Sequence, residues 1–203
     1  LDHTRDQYLA LTDEVDAQKA MTARLKANPH STVGELAKLI APLLKDEATI
    51  AVARAVGTVT PSTTVEQKAH GVANGATGHY AFGTKTRPGF ITMFPASNGV
   101  HVFLHEAAHA ATVAAMEKDA GLHLAFDHLL GHVVKHMPDI GLAYGGTNTM
   151  EFIAEGLSNP AFREKMRRIP GSRKVEEFLG TRAANAWEAF VDLMRKALGM
   201  DPQ

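Results

Sequence analysis

The stretch "FLHEAAHAAT", Phe103 to Thr112, sets His105 and His109 four residues apart with Glu106 directly after the first. On an α-helix two residues one turn apart share a face, so both imidazoles can reach one metal ion. Glu106 lies about 100° around such a helix, where its carboxylate can take a proton from a metal-polarised water without being a ligand itself. The chemistry this suggests is metal-assisted hydrolysis, with zinc as the ion suited to nitrogen and oxygen donors. The chain holds eleven histidines, most of them between His101 and His136, so the same spacing can also arise by chance on an alanine-rich helix. The pentapeptide therefore needs a third ligand.

Cysteine is absent, which excludes disulfides, thiolate zinc sites and a cysteine nucleophile, and leaves His, Asp and Glu as donors. The metzincin extension would require Gly and His where Thr112 and Ala115 stand. Thermolysin-type sites take a glutamate from a later helix instead. The segment "GLAYGGTNTMEFIAE" offers Glu151 as that ligand. Glu155, one turn on, could hydrogen-bond the outward ring N–H of a ligand imidazole. Both have plainer readings: Asn148 with Glu151 has the spacing of a capping box, and Glu155 could be a solvated helix residue. Tyr144, taken by itself, reads as a packing tyrosine.

The elements that must position these groups are mostly helical. Tyr8, Leu11, Val15, Met21 and Leu25 recur at helical spacing until "NPH" at Asn28 to His30. Thr32 with Glu35 makes a capping box ahead of "LAKLIAPLL", a helix that Pro42 should kink or shorten. In "ATIAVARAVGTVTP", Ile50, Val52 and Val56 fall on alternate positions and suggest a strand. The Gly- and Thr-rich stretch from His70 reads as a hairpin, His79 to Phe82 and Phe90 to Phe94 around "GTKTRPG", or else as a plain connecting loop. Helices are expected from Val100 to Lys118, ended by Gly121, then from Leu122 to His136, and again from near Asn148. In the tail, Trp187, Phe190, Val191, Met194 and Leu198 form the apolar face of an amphipathic helix.

"HEAAH" followed by "YGGTNTMEFIAE" resembles the catalytic domain of anthrax lethal factor and its relatives, a gluzincin family that includes the Pro-Pro endopeptidases. Phage-type polyvalent-protein metallopeptidases look similar too, down to the Trp- and Phe-bearing tail "NAWEAFVDLMRKALG". The match covers roughly His101 to Pro160. It implies that His105, His109 and Glu151 bind Zn2+, that Glu106 is the general base, that Tyr144 hydrogen-bonds the oxyanion, and that Glu155 orients the site. It also implies an α+β fold, mostly helical and zincin-like with a small mixed sheet. Residues 1–203 would be one metallopeptidase domain, with a helical part over 1–69 and the catalytic core over 70–203. In this family the last strand before the HExxH helix, here "GFITMF", would be an exposed edge that pairs with an extended peptide. Asn98 and the "GTKTRPG" turn would rim the cleft, or serve only as turn residues. Gly146 stands where lethal factor's turn has arginine, and Thr149–Met150 replace an acidic–alanine pair; neither position is a proposed ligand.

Other histidines carry less. His128, His132 and His136 recur every four residues, which makes a second metal site conceivable, yet no carboxylate motif accompanies them and Asp127 points elsewhere on that helix. His101 borders the site or packs beside it. With 21 Lys plus Arg against 22 Asp plus Glu, no global field recruits nucleic acid or an anionic membrane. No apolar run is long enough to span a bilayer, and the start lacks the regions of a signal peptide. Leu1 in place of Met reads as a segment of a larger polypeptide or a processed product, acting in the cytoplasm or delivered into a host cell. The expected activity is zinc endopeptidase. The rivals are a catalytically silent zinc-binding module and a metal-dependent hydrolase of a non-peptide bond.

Overall fold

The computed structural model describes residues 15–45, 47–59, 62–67, 78–81, 83, 89–93, 99–139 and 144–200. They form a mostly helical α+β structure with one three-stranded mixed sheet. The chain divides into two compact units, Leu1–Ala110 and Ala111–Gln203.

In the first unit, α1 (Val15–Ala27) buries Ala17, Met21 and Leu25 at helical spacing; Tyr8 and Leu11 lie outside the described residues. The capping box before α2 (Val33–Ile40) is formed in both directions: Glu35 N donates to Thr32 Oγ1 at 3.1 Å, and Thr32 N to Glu35 Oε2 at 2.9 Å. Pro42 acts as expected: the α-helix stops at Ile40 and tightens into a 3-10 turn, Ala41–Leu43.

The strand expected around Val52 is instead a helix, α3 (Glu47–Val59). Its buried residues Thr49, Val52, Ala53, Val56 and Gly57 follow a three-and-four step. Alternation of β-branched residues had hidden a stripe that alanine and glycine complete. The small residues matter: a Cβ on Gly57 would come within 3.2 Å of Ala37 Cβ, so α2 and α3 pack nearly backbone to backbone.

The sheet contains β1 (Thr64–Gln67), β2 (Gly78–Ala81) and β3 (Phe90–Met93) in the order β1-β3-β2. β2 and β3 pair antiparallel, as the hairpin reading expected, with Gly78 opposite Met93; residues 84–88 of the turn lie outside the described residues. β1, which the sequence did not announce, pairs parallel to β3. It is tied to the start of α2 by Val33 N donating to Thr63 O at 2.6 Å and Val65 N to Ser31 O at 2.8 Å. This corrects the role given to "GFITMF". β3 is the central strand, with both hydrogen-bonding sides taken and Ile91, Thr92 and Met93 buried, so it is not an edge.

α4 (Val100–Lys118) is a continuous helix within which the division between units falls. Gly121 does not end it: Asp119 caps the next helix, accepting from Leu122 N at 2.9 Å, and Gly121 sits in the first turn of α5 (Ala120–His136). A 3-10 turn (Tyr144–Gly146) leads into α6 (Thr149–Ser158), followed by α7 (Pro160–Arg167), α8 (Arg173–Leu179) and α9 (Ala186–Ala197). The core of this second unit is aromatic. Phe190 meets Phe126 and Phe152 edge to face, with centroids 5.9 and 5.6 Å away, and Phe152 meets Phe162 at 5.8 Å. Of the face expected for the tail helix, Phe190 and Met194 are buried and Trp187 stacks on Phe190 at 5.4 Å. Among the described residues no helix is long and apolar enough to cross a membrane.

Candidate metal centre

α4 buries Phe103, Leu104, Ala107 and Ala108, and this fixes the rotation of its histidine face. His105 is buried, whereas Glu106 and His109 are partly exposed. The His105 and His109 rings are 5.0 Å apart and nearly perpendicular. One ligand atom from each of His105, His109 and Glu151 lies within 4.8 Å of the others. Donors held at about 2.0–2.2 Å by one tetrahedral ion stand about 3.3–3.6 Å apart. Two imidazoles and one carboxylate are a donor set that zinc accepts in catalytic sites.

Glu151 is positioned by the start of α6. Asn148 Oδ1 accepts from Glu151 N at 3.0 Å, and Asp127 on α5 accepts from the Thr149 hydroxyl. Of the expected capping box the structure shows the N-cap half, which engages the Glu151 backbone N–H, while a carboxylate oxygen of Glu151 lies within 4.8 Å of a ring nitrogen of each histidine. The same Asp127 oxygen stands 3.9 Å from His123 Nε2 and fastens α6 through Thr149.

Glu155 is buried at 4% exposure, which rules out a solvated helix residue. Its Oε2 accepts from Asn159 Nδ2 at 2.8 Å, and its carboxylate joins His101 and His105 in a second group whose ligand atoms also lie within 4.8 Å of one another. The His101 and His105 rings are 6.0 Å apart. A carboxylate beside a ligand imidazole fixes its tautomer and raises its basicity. Gly145 makes room for the stem of Glu155, since a Cβ there would come 2.8 Å from Glu155 Cγ and 2.9 Å from its Cβ. Tyr144 opens the 3-10 turn just before α6; its side chain lies outside the described residues, as do Asn98 and most of "GTKTRPG".

Glu106 has a neighbour that the sequence did not suggest. Gly78, at the start of β2, approaches so closely that a Cβ would stand 2.7 Å from Val102 Cγ1 and 3.0 Å from Glu106 Cγ. His128, His132 and His136 belong to neither metal-capable group among the described residues. His132 Nε2 hydrogen-bonds Pro170 O and His136 Nδ1 hydrogen-bonds His132 O, both at 2.9 Å, so two of the three serve the local structure. Comparison with known proteins finds no matching family model, curated relative or solved structure.

Proposed function

We propose that the chain is a zinc-dependent endopeptidase of gluzincin type on a zincin-like fold. The convergence of His105, His109 and Glu151 beside a glutamate in HExxH spacing carries the proposal. A zinc ion bound there would act as a Lewis acid on the scissile carbonyl and lower the pKa of a bound water towards neutrality. His105 and His109 supply the imidazole donors and Glu151 the carboxylate. Glu106 takes the proton of the attacking water and delivers it to the leaving amine. Tyr144, from the turn before α6, donates a hydrogen bond to the oxygen that gains charge. Glu155 holds the His105 ring in a fixed orientation and is itself held by Asn159.

The substrate is a peptide or protein segment in extended form. β3 is enclosed by its neighbours, so the pairing edge is β2 instead: among the described residues no strand lies on its outer side, and its first residue abuts Glu106. An extended peptide along β2 would pass the general base.

The test is cleavage of a diverse peptide pool by zinc-loaded wild type and by Glu106→Gln. The proposal expects wild-type cuts that vanish in Glu106→Gln at unchanged zinc content. Stoichiometric zinc with no cleavage by wild type would instead favour a silent zinc-binding module.

A further inference from the structure

We infer that Gly78 is a positioning residue for Glu106, an inference that rests on the general-base role proposed above. Gly78 does not have the positive φ that would by itself require glycine. What its position demands is space. Val102 and Glu106 are one turn apart on α4 and therefore share the face on which the start of β2 lies. A Cβ at position 78 would stand 2.7 Å from Val102 Cγ1, 3.0 Å from Glu106 Cγ and 3.3 Å from Glu106 Oε1. The first distance is far inside van der Waals contact, and a β-branched valine on a helix has little rotamer freedom with which to yield. Either β2 lifts from α4 or the Glu106 side chain swings aside. Both outcomes change the distance between the carboxylate and the strand along which the substrate would lie. The bare backbone of Gly78 thus acts as a stop against which the Glu106 stem is held.

The substitution Gly78→Ala introduces that single carbon. Zinc content should stay at the wild-type level, because no ligand atom touches position 78 in this account. With a quenched-fluorescent peptide drawn from the pool, kcat should fall about 10–100-fold, as expected for sub-ångström to ångström misplacement, with KM within about twofold. A second readout needs no turnover. Acetohydroxamate chelates the metal through two oxygens and shares its proton with a neighbouring carboxylate, so its affinity for the Co2+-loaded protein, read from the visible spectrum, reports on Glu106. That affinity should weaken about tenfold in Gly78→Ala, as the loss of one charge-assisted hydrogen bond would. Adding Val102→Ala to Gly78→Ala removes the 2.7 Å contact and should restore most of both quantities. A Gly78→Ala protein with wild-type kcat and hydroxamate affinity would overturn the inference. So would a loss that Val102→Ala does not relieve and that tracks metal content. If wild type cleaves no peptide, the peptidase reading fails while the hydroxamate measurement still decides the role of Gly78.

Discussion

Two glycines of the second unit make opposite predictions for the same one-carbon change. At Gly145 a Cβ would meet Glu155 Cγ at 2.8 Å, Glu155 Cβ at 2.9 Å and Phe162 Cε2 at 3.1 Å. Both neighbours are buried, at 4% and 5% exposure, so neither can retreat into solvent. Overpacking of this kind costs about 1–3 kcal/mol. For a chain of this size each kcal/mol lowers the melting temperature by roughly 2–4 °C, so Gly145→Ala should melt about 2–12 °C below wild type. Gly131 is exposed in the middle of α5, and a Cβ there meets nothing within 4 Å. Alanine should stabilise that helix by about 0.5–1 kcal/mol, since it removes the backbone entropy that glycine loses on folding. Thermal melts followed by circular dichroism on the metal-free proteins, at one scan rate, compare the two directly. Shifts in the same direction, or a Gly145→Ala melt that coincides with wild type, would refute the claim that the turn lies against the stem of Glu155.

Three further expectations concern the ligands and the frame. His109→Ala should lose zinc and peptide cleavage together, read by metal analysis and by the quenched-fluorescent peptide. Because the imidazoles and the carboxylate bind metal only when deprotonated, zinc uptake should release protons and affinity should fall steadily as the medium is acidified, measured by chelator competition across pH; a pH-independent affinity would contradict the donor set. Thr32→Ala removes one half of the capping box on α2 and should cost about 0.5–2 kcal/mol in a urea titration.

What the sequence disclosed was local, and what it concealed was not. The 105–109 spacing, the Thr32–Glu35 box and the Asn148 cap each depend on a single helical turn: the structure sets both imidazoles on one helix with rings 5.0 Å apart, closes the box in both directions, and forms the Asn148 N-cap. The Glu155–Asn159 bond also spans one turn, so an Asn four residues after the second glutamate was a signal available in the sequence. The helix α3 is hidden in the sequence because its inward face is completed by Thr49, Ala53 and Gly57, residues that hydrophobic alternation overlooks. The edge role of β3 comes only from the family resemblance; its parallel partner β1 lies more than twenty residues upstream, and no periodicity encodes that pairing. The roles of Gly78 and Gly145 are likewise tertiary: glycine marks permission for close approach, and only the neighbours, Val102 and Glu106 for one and Glu155 and Phe162 for the other, say what approaches.

Glu151 is the residue on which the proposed metal centre depends. Metal analysis of Glu151→Ala beside wild type, after equilibration with zinc and removal of excess, tests it most directly. The expected result is one zinc per wild-type chain and a near-empty variant that remains folded, since the Asn148 cap uses only the backbone N–H at position 151. Full occupancy in Glu151→Ala would contradict the site described here.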